Sequence, residues 1–99
     1  MMLDVLKSAT FETWFQGLRD RQAQARINAR IRRLSLGNPG DVKPVGSGVS
    51  EMRIDYGPGY RIYYRQRGNI LILLLCGGDK RTQDSDIKQA ISISKNWKV

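Results

Sequence analysis

Basic and aromatic side chains cluster in two neighbouring segments that have the pattern of adjacent strands. The first is Tyr60-Arg61-Ile62-Tyr63-Tyr64, and the second is the apolar run 70–76, which leads into Gly77-Gly78-Asp79-Lys80. This arrangement places Arg61 on a sheet and brings Lys80 and Arg81 to the end of that sheet. In a chain with a net charge of +8, such a group of cations predicts a polyanionic ligand, and RNA is the favoured one.

Arginines and lysines on a sheet could catalyse RNA cleavage by attack of a 2′-hydroxyl on the adjacent phosphorus. Guanidinium groups pair with phosphate oxygens, and preorganised positive charge is often the largest catalytic contribution. The predicted strands put Arg53, Arg61 and Arg65 on one face, with Lys80 and Arg81 at its rim. We therefore predict catalytic roles for Arg61, Arg53, Lys80 and Arg81, and an RNA-binding role for Arg65.

Further residues of the same region are candidates for binding RNA or for positioning the catalytic groups. Tyr63 and Tyr56 could stack on a splayed base, and Lys43 is the only cation of the loop 37–48. We predict that Asp55 orients an arginine. The alternative is that Arg53, Asp55 and Arg61 form only a salt-bridge ladder on a solvated face.

Composition limits the chemistry that the chain can perform. The sequence has no histidine, so a catalytic triad, a His–Cys pair and histidine metal ligation are excluded, and neither a metal nor a cofactor is predicted. The single cysteine, Cys76, lies in an apolar run and is interpreted as a core residue in a reducing compartment. No leader is evident and the apolar run is too short to cross a bilayer, so we predict a cytoplasmic protein with no membrane partner.

Two helices are predicted in the first half of the chain. Phe11, Trp14, Phe15 and Leu18 have amphipathic helical spacing, with Ser8 or Thr10 as the cap. Asp20 can cap a second helix that runs to about Leu36. The arginine stripe of that helix is either a ridge that contacts phosphate or a solvated face; it consists of Arg26, Arg30 and Arg33.

The second half is predicted to be a sheet followed by a helix. A loop over 57–59 would place Asp55 opposite Arg61 and Arg53 opposite Tyr63, with apolar side chains on the other face. Residues 70–76 form a buried interior strand, and Ser85 or Asp86 opens the last helix. The predicted fold is α+β in one domain, 1–99, with the order β-α-α-β-β-β-α, its two N-terminal helices packed on an antiparallel-dominated sheet.

Several motifs occur in the order typical of one known group of proteins. They are Trp14-Phe15-x-x-Leu18, Val49-x-Glu51-Met52-Arg53, Gly57-Pro58-Gly59-Tyr60-Arg61-Ile62-Tyr63-Tyr64 and Leu75-Cys76-Gly77-Gly78-Asp79-Lys80-x-Thr82-Gln83-x-x-Asp86-Ile87. Together they resemble the RelE/ParE toxin superfamily, in particular the HigB-like, phage-related branch of addiction-module killer proteins. The resemblance covers nearly the whole chain.

The resemblance implies a RelE-like fold and the toxin of a type II toxin–antitoxin system, a ribosome-dependent endoribonuclease that cleaves translated mRNA without a metal. It implies a cognate helix-turn-helix antitoxin as a partner, the ribosome and mRNA as targets, and contact with operator DNA only through the antitoxin complex. Arg61 matches the family's phosphate-binding arginine, and Arg53 matches the arginine of Glu-x-Arg. Lys80 and Arg81 lie where relatives carry a basic residue after the last strand.

Two other functions remain open from the sequence. One is a ParE-like inhibitor of DNA gyrase with the same fold and no nuclease activity, although the dense cations of the sheet favour RNA. The other is an inactive module that only binds an antitoxin or an operator.

Overall fold

The fold of the chain is described for residues 2–98 by a computed structural model. This part of the chain forms three α-helices, five strands and one 3₁₀ turn. In chain order they are β1 (Asp4–Lys7), α1 (Ala9–Gln16), α2 (Arg21–Ser35), β2 (Val42–Gly46), β3 (Val49–Ile54), β4 (Tyr60–Arg67), β5 (Leu71–Asp79), the 3₁₀ turn (Lys80–Thr82) and α3 (Gln83–Asn96). The α+β class is confirmed.

The strands form a single sheet in the order β1-β5-β4-β3-β2. β1 pairs with β5 in parallel, and the other three neighbouring pairs are antiparallel. The prediction of an antiparallel-dominated sheet is therefore confirmed. β5 lies inside the sheet with its residues 72–78 buried, as expected for a strand that is apolar on both faces.

Helices α1 and α2 cover one face of the sheet. Ser8 caps α1 by accepting from the backbone N–H of Phe11 (2.9 Å), and Asp20 caps α2 by accepting from Ala23 (3.1 Å). Both caps were predicted. The core on this face joins apolar residues of the two helices to those of the strands, including Phe11, Ile27, Ile31, Leu34, Met52, Ile54, Ile62, Tyr64, Ile72 and Leu74.

Helix α3 covers the opposite face, so the molecule has three layers. A second core lies between α3 and the sheet and contains Val49, Tyr63, Leu73, Leu75, Cys76 and Ala90. The face of the sheet that carries Arg53 and Arg61 is therefore open only beyond the N-terminal end of α3. Cys76 is buried as predicted, and burial raises the pKa of its thiol to about 12.

The chain departs from the predicted element order at two places. The segment 37–48, predicted to be a loop, contains the edge strand β2, whose backbone pairs with β3 despite Pro44 and the irregularity beside Gly46. Pro and Gly are tolerated here because an edge strand leaves one side of its backbone unpaired. In addition, α3 begins at Gln83 rather than at Ser85 or Asp86, since the 3₁₀ turn leads directly into it.

The predicted register of β3 and β4 is wrong by two residues, although the predicted faces are right. Arg53 lies opposite Arg61 and Ile54 opposite Tyr60, so Asp55 belongs to a five-residue turn, 55–59. The sequence had predicted that Arg53 lies opposite Tyr63 and that Asp55 lies opposite Arg61. A two-residue displacement keeps every side chain on its face, and apolar segregation could therefore not distinguish the two registers.

The glycine pair at the end of β5 is required by contacts on both faces of the sheet. A Cβ on Gly77 would collide with the indole of Trp14, and a Cβ on Gly78 would collide with the carboxylate of Asp86. These residues let α1 and α3 approach the strand closely. No helix of the described chain is long and apolar enough to span a membrane.

We expect Gly77→Ala to lower the free energy of unfolding by about 1–3 kcal/mol, because the added methyl group displaces Trp14 from the core. Gly17→Ala is the matched control, since Gly17 has an ordinary backbone φ of −76° and lies outside both cores. Urea unfolding of the two variants measures the difference. Equal stability of both variants would contradict this account of Gly77.

Candidate functional site

Two arginines face each other across β3 and β4 beside a cleft at one corner of the sheet. Arg53 and Arg61 are direct cross-strand partners, and like charges in this position repel each other. The cleft has a volume of about 390 Å³. We call it the arginine cleft; its lining includes Arg53, Arg61, Lys80, Asp41, Asp55 and the turn residues Gly57, Pro58 and Gly59.

The turn 55–59 and the 3₁₀ turn bring Lys80 to the same cleft. Tyr60 pairs with Asp79 across β4 and β5, which places the start of the 3₁₀ turn beside the hairpin. A Cβ built on Gly59 would lie 3.6 Å from the Cβ of Lys80. The fold thus brings together three of the four predicted catalytic residues, namely Arg53, Arg61 and Lys80.

Much of the hydrogen-bonding capacity of these cations is unused. The side chain of Arg61 makes no hydrogen bond or salt bridge with other residues of 2–98, and its Nε is buried there without a partner. Arg53 uses only its Nε, and its side chain is 37% exposed. Lys80 is exposed and also lacks a salt bridge to the described residues. The cleft therefore offers several donors to an anion.

The buried carboxylate of Glu51 accepts a hydrogen bond from Arg53. Glu51 is fully buried and accepts from Arg53 Nε at 3.2 Å. Its second oxygen accepts from the Tyr63 hydroxyl (3.0 Å) and from Gln83 Nε2 (2.8 Å). Glu51 thus connects β3, β4 and the first residue of α3. Its three donors come from three different elements.

The carboxylate of Glu51 is ionised at neutral pH. Burial acts to raise its pKa, but the hydrogen bonds from Gln83 and Tyr63, followed by the influence of the two arginines, outweigh burial. The pKa of Glu51 is therefore below its ordinary value of 4.5. A buried charge of this kind requires partners on every side, and the network supplies them.

The role predicted for Asp55 belongs to Glu51 instead. Asp55 lines the cleft but makes no hydrogen bond or ion pair with any arginine of the described chain. The sequence signal for Glu51 was the Glu-x-Arg spacing, because residues i and i+2 of a strand share a face. From the sequence, that spacing served only as a motif, and no role was predicted for Glu51.

Tyr63 cannot stack on a base, contrary to prediction. Its ring is fully buried under α3 and its hydroxyl donates to Glu51. Burial and the neighbouring carboxylate raise the pKa of Tyr63 far above its ordinary range. Tyr63 is thus part of the support of the site rather than its surface.

Tyr56 is half-buried beside the turn, next to helix α2. Its hydroxyl donates to Asp20 (2.8 Å), and the guanidinium of Arg26 lies 4.6 Å from its ring centroid. This hydrogen bond is the largest cause of a raised pKa for Tyr56. One ring face is therefore occupied, and stacking of a base on the other face stays a prediction.

The remaining predicted residues lie outside the arginine cleft. Arg65 donates to the Ser94 hydroxyl on α3 (3.1 Å), and Lys43 is exposed on the edge strand β2, opposite Glu51. Arg81 is exposed and paired with Asp79 (3.0 Å), and it does not line the cleft. The predicted catalytic role of Arg81 therefore lacks the expected geometry, because its guanidinium is paired elsewhere.

The three arginines of the α2 stripe do not share one role. Neither of the two predicted roles, contact with phosphate or solvation of the helix, describes all of them. Arg30 donates to the backbone carbonyls of Arg53 (2.6 Å) and Pro39 (3.2 Å), and so fastens α2 to β3 and to the segment before β2. Arg26 stacks on Tyr56, whereas Arg33 is exposed. Within residues 2–98, no cluster of three or more Cys, Asp or Glu side chains could hold a metal ion.

Comparison with known proteins supports the fold and gives one close relative. No family model matches the chain. An uncharacterized protein of Haemophilus influenzae is 51% identical over 90 residues, which cover 91% of each chain. A chain of the RelBE2 toxin–antitoxin complex from Mycobacterium tuberculosis has a similar structure, with a TM-score of 0.63 and 20% identity, over 81% of this chain and all of that one.

The ionised state of Glu51 leads to a prediction about stability. A carboxyl group with a lowered pKa stabilises the fold fully above its unfolded-state pKa, and this contribution is lost as the pH falls through the folded-state pKa. We expect Glu51→Gln to lower the free energy of unfolding at neutral pH by about 1–3 kcal/mol.

The difference between Glu51→Gln and the unaltered chain should shrink as the pH falls below about 4.5, where Glu51 of the unfolded chain begins to be protonated, and should be lost below the lower pKa of Glu51 in the folded chain. Urea unfolding at neutral pH and at about pH 3 measures it, and the subtraction removes the contributions of other carboxyls. A difference that does not change with pH would show that Glu51 is not buried as an anion.

Proposed function

The chain belongs to the same protein family as the Haemophilus influenzae protein, and from its fold and its arginine cleft we propose that it is the toxin of a type II toxin–antitoxin system. Its proposed activity is ribosome-dependent, metal-independent cleavage of translated mRNA. The observation that carries this proposal is the pair of facing arginines, whose free donors lie at the edge of an accessible cleft.

The unused donors favour a phosphodiester as the ligand. A buried N–H without a partner is costly, and a phosphate oxygen in the cleft would supply the acceptor that Arg61 Nε lacks. An anion between Arg53 and Arg61 would also remove their mutual repulsion. Arginine suits this ligand because its planar fork binds two phosphate oxygens at once.

The cleft also contains the groups that phosphodiester transfer requires. In the proposed reaction the 2′-oxygen forms a bond to phosphorus and the bond from phosphorus to the 5′-oxygen breaks, leaving a 2′,3′-cyclic phosphate and a 5′-hydroxyl. Arg53 and Arg61 stabilise the charge on the phosphoryl oxygens. The proton of the 2′-hydroxyl passes to a cleft carboxylate, Asp41 or Asp55, and Lys80 donates a proton to the leaving oxygen.

The partners that we propose for this chain follow from its proposed function as a toxin. The neighbour of similar structure is a chain of a toxin–antitoxin complex, which supports a cognate antitoxin; we propose a helix-turn-helix protein. We further propose that the ribosome and mRNA are the targets, that operator DNA is contacted only through the antitoxin complex, and that the protein acts in the cytoplasm.

Removing the Arg61 side chain tests the proposed site. We expect Arg61→Ala to reduce the cleavage rate of translated mRNA about a hundredfold or more, because a preorganised charge at the phosphoryl group is lost. The melting temperature should be unchanged or higher, since the Arg61 side chain makes no hydrogen bond with other residues of 2–98. Growth arrest on expression should be lost in parallel.

Lys95→Ala is the matched control for the loss of one positive charge. Lys95 is exposed in the last turn of α3 and does not line the arginine cleft. We expect cleavage and growth arrest to be retained in this variant. Full toxicity of a folded Arg61→Ala variant would contradict the proposed function, as would an equal loss in both variants.

The free protein should cleave protein-free RNA poorly. Neither the carboxylate of Asp41 nor that of Asp55 accepts a hydrogen bond from another side chain of the described chain, although Arg30 donates to the backbone carbonyl of Asp41 (3.4 Å). The ribosome would therefore have to position the 2′-hydroxyl and its base. Incubation of a labelled RNA with and without translating ribosomes measures the ratio. Rapid cleavage of the naked RNA would refute the dependence on the ribosome.

A further inference from the structure

We propose that Glu51 is a positioning residue, which acts on the phosphodiester only through Arg53. This inference rests on the proposed function, because it concerns how the arginine cleft binds RNA. Glu51 does not line the cleft and is fully buried beneath it. Among the described residues, its one hydrogen bond to a residue that lines the cleft runs from Arg53 Nε to Glu51 Oε1 (3.2 Å).

The hydrogen bond to Glu51 fixes the direction of the Arg53 guanidinium. An arginine side chain otherwise loses much rotamer freedom when it binds a ligand. Because Nε is engaged, the two Nη groups remain for the cleft, and they make no hydrogen bond within residues 2–98. Glu51 therefore reduces the entropy that Arg53 would lose on binding a phosphate.

Glu51 is itself fixed by residues that take no part in the cleft. Tyr63 and Gln83 both donate to Oε2, which leaves Oε1 for Arg53. Gln83 is the first residue of α3, directly after the 3₁₀ turn that carries Lys80. The motif Gly-Gly-Asp-Lys-x-Thr-Gln thus supplies both a cleft cation and a support for the carboxylate.

The carboxylate also permits two like charges to stand opposite each other. Arg53 and Arg61 are direct cross-strand partners, and both interact with the charge of Glu51, Arg53 through its hydrogen bond and Arg61 electrostatically. Without this charge the flexible guanidinium of Arg53 would turn away from Arg61. Glu51 thus holds the two cations together before any ligand arrives.

Positioning and simple charge balance predict opposite effects of Glu51→Gln. The substitution removes a negative charge near the cleft, so long-range electrostatics alone would tighten the binding of a polyanion. Loss of a charge-assisted hydrogen bond to Arg53 would weaken binding instead. Asp55→Asn is the matched comparison, since it removes a negative charge from the cleft wall and the Asp55 side chain makes no hydrogen bond with the described residues.

The experiment measures binding of a short fluorescent oligodeoxynucleotide at constant low salt. This probe carries phosphodiesters but no 2′-hydroxyl, so it cannot be cleaved by the proposed route. We expect Glu51→Gln to weaken binding by roughly fivefold and Asp55→Asn to strengthen it. Gln83→Met, which keeps the charge of Glu51 but removes one of its supports, should also weaken binding and is measured in parallel.

The double variant with Arg53→Met separates positioning from a general loss of structure. If Glu51 acts through Arg53, Glu51→Gln and Gln83→Met no longer weaken binding once Arg53 is replaced. Weakening that persists in the Arg53→Met background, or tighter binding by Glu51→Gln alone, overturns the inference. Failure of the unaltered protein to bind the probe, or RNA of the same sequence, overturns the proposed function and the inference together.

Discussion

A single buried carboxylate organises the part of the molecule that carries the candidate chemistry. Glu51 lies between the sheet and α3, where an unpaired charge would be strongly unfavourable. Its hydrogen bonds therefore constrain three elements at once, through Arg53 on β3, Tyr63 on β4 and Gln83 on α3. The position of Arg53 at the cleft depends on all three.

The open cleft is made possible by close packing around it. Gly77 admits the indole of Trp14 on one face of the sheet, and Gly78 admits the carboxylate of Asp86 on the other. Asp86 in turn accepts from the Thr82 hydroxyl (2.5 Å), which joins the 3₁₀ turn to α3. The 3₁₀ turn that carries Lys80 is thereby joined to β5 at one end and to α3 at the other. It lies next to the hairpin that carries Arg61.

Much of the fold could be predicted from the sequence. Amphipathic spacing and the caps Ser8 and Asp20 predicted α1 and α2 correctly, because these signals are local. β2 was missed because an edge strand with Pro44 and flanking glycines has the composition of a loop. The register of β3 and β4 was missed because the hairpin turn contains five residues rather than three, which leaves the faces unchanged.

The cations of the candidate site could be predicted from the sequence, but the buried residues that hold them in position could not. Arg53, Arg61 and Lys80 were recognisable by charge and by motif, and they meet at one cleft. The placement of α3 over Glu51 and Tyr63 is a tertiary contact that no local pattern encodes, so the burial of these two residues was not predicted. The same contact explains why Asp55 does not orient an arginine.

We propose that the arginine cleft cleaves mRNA on the ribosome. The most direct measurement is the mapping of 5′ ends on a defined mRNA in a purified translation system, with and without the protein. We expect new 5′ ends within the translated region only, and none when translation is blocked. If the mRNA stays intact in this system although expression of the protein arrests growth, the chain is not an mRNA endonuclease. That result would favour a target such as DNA gyrase.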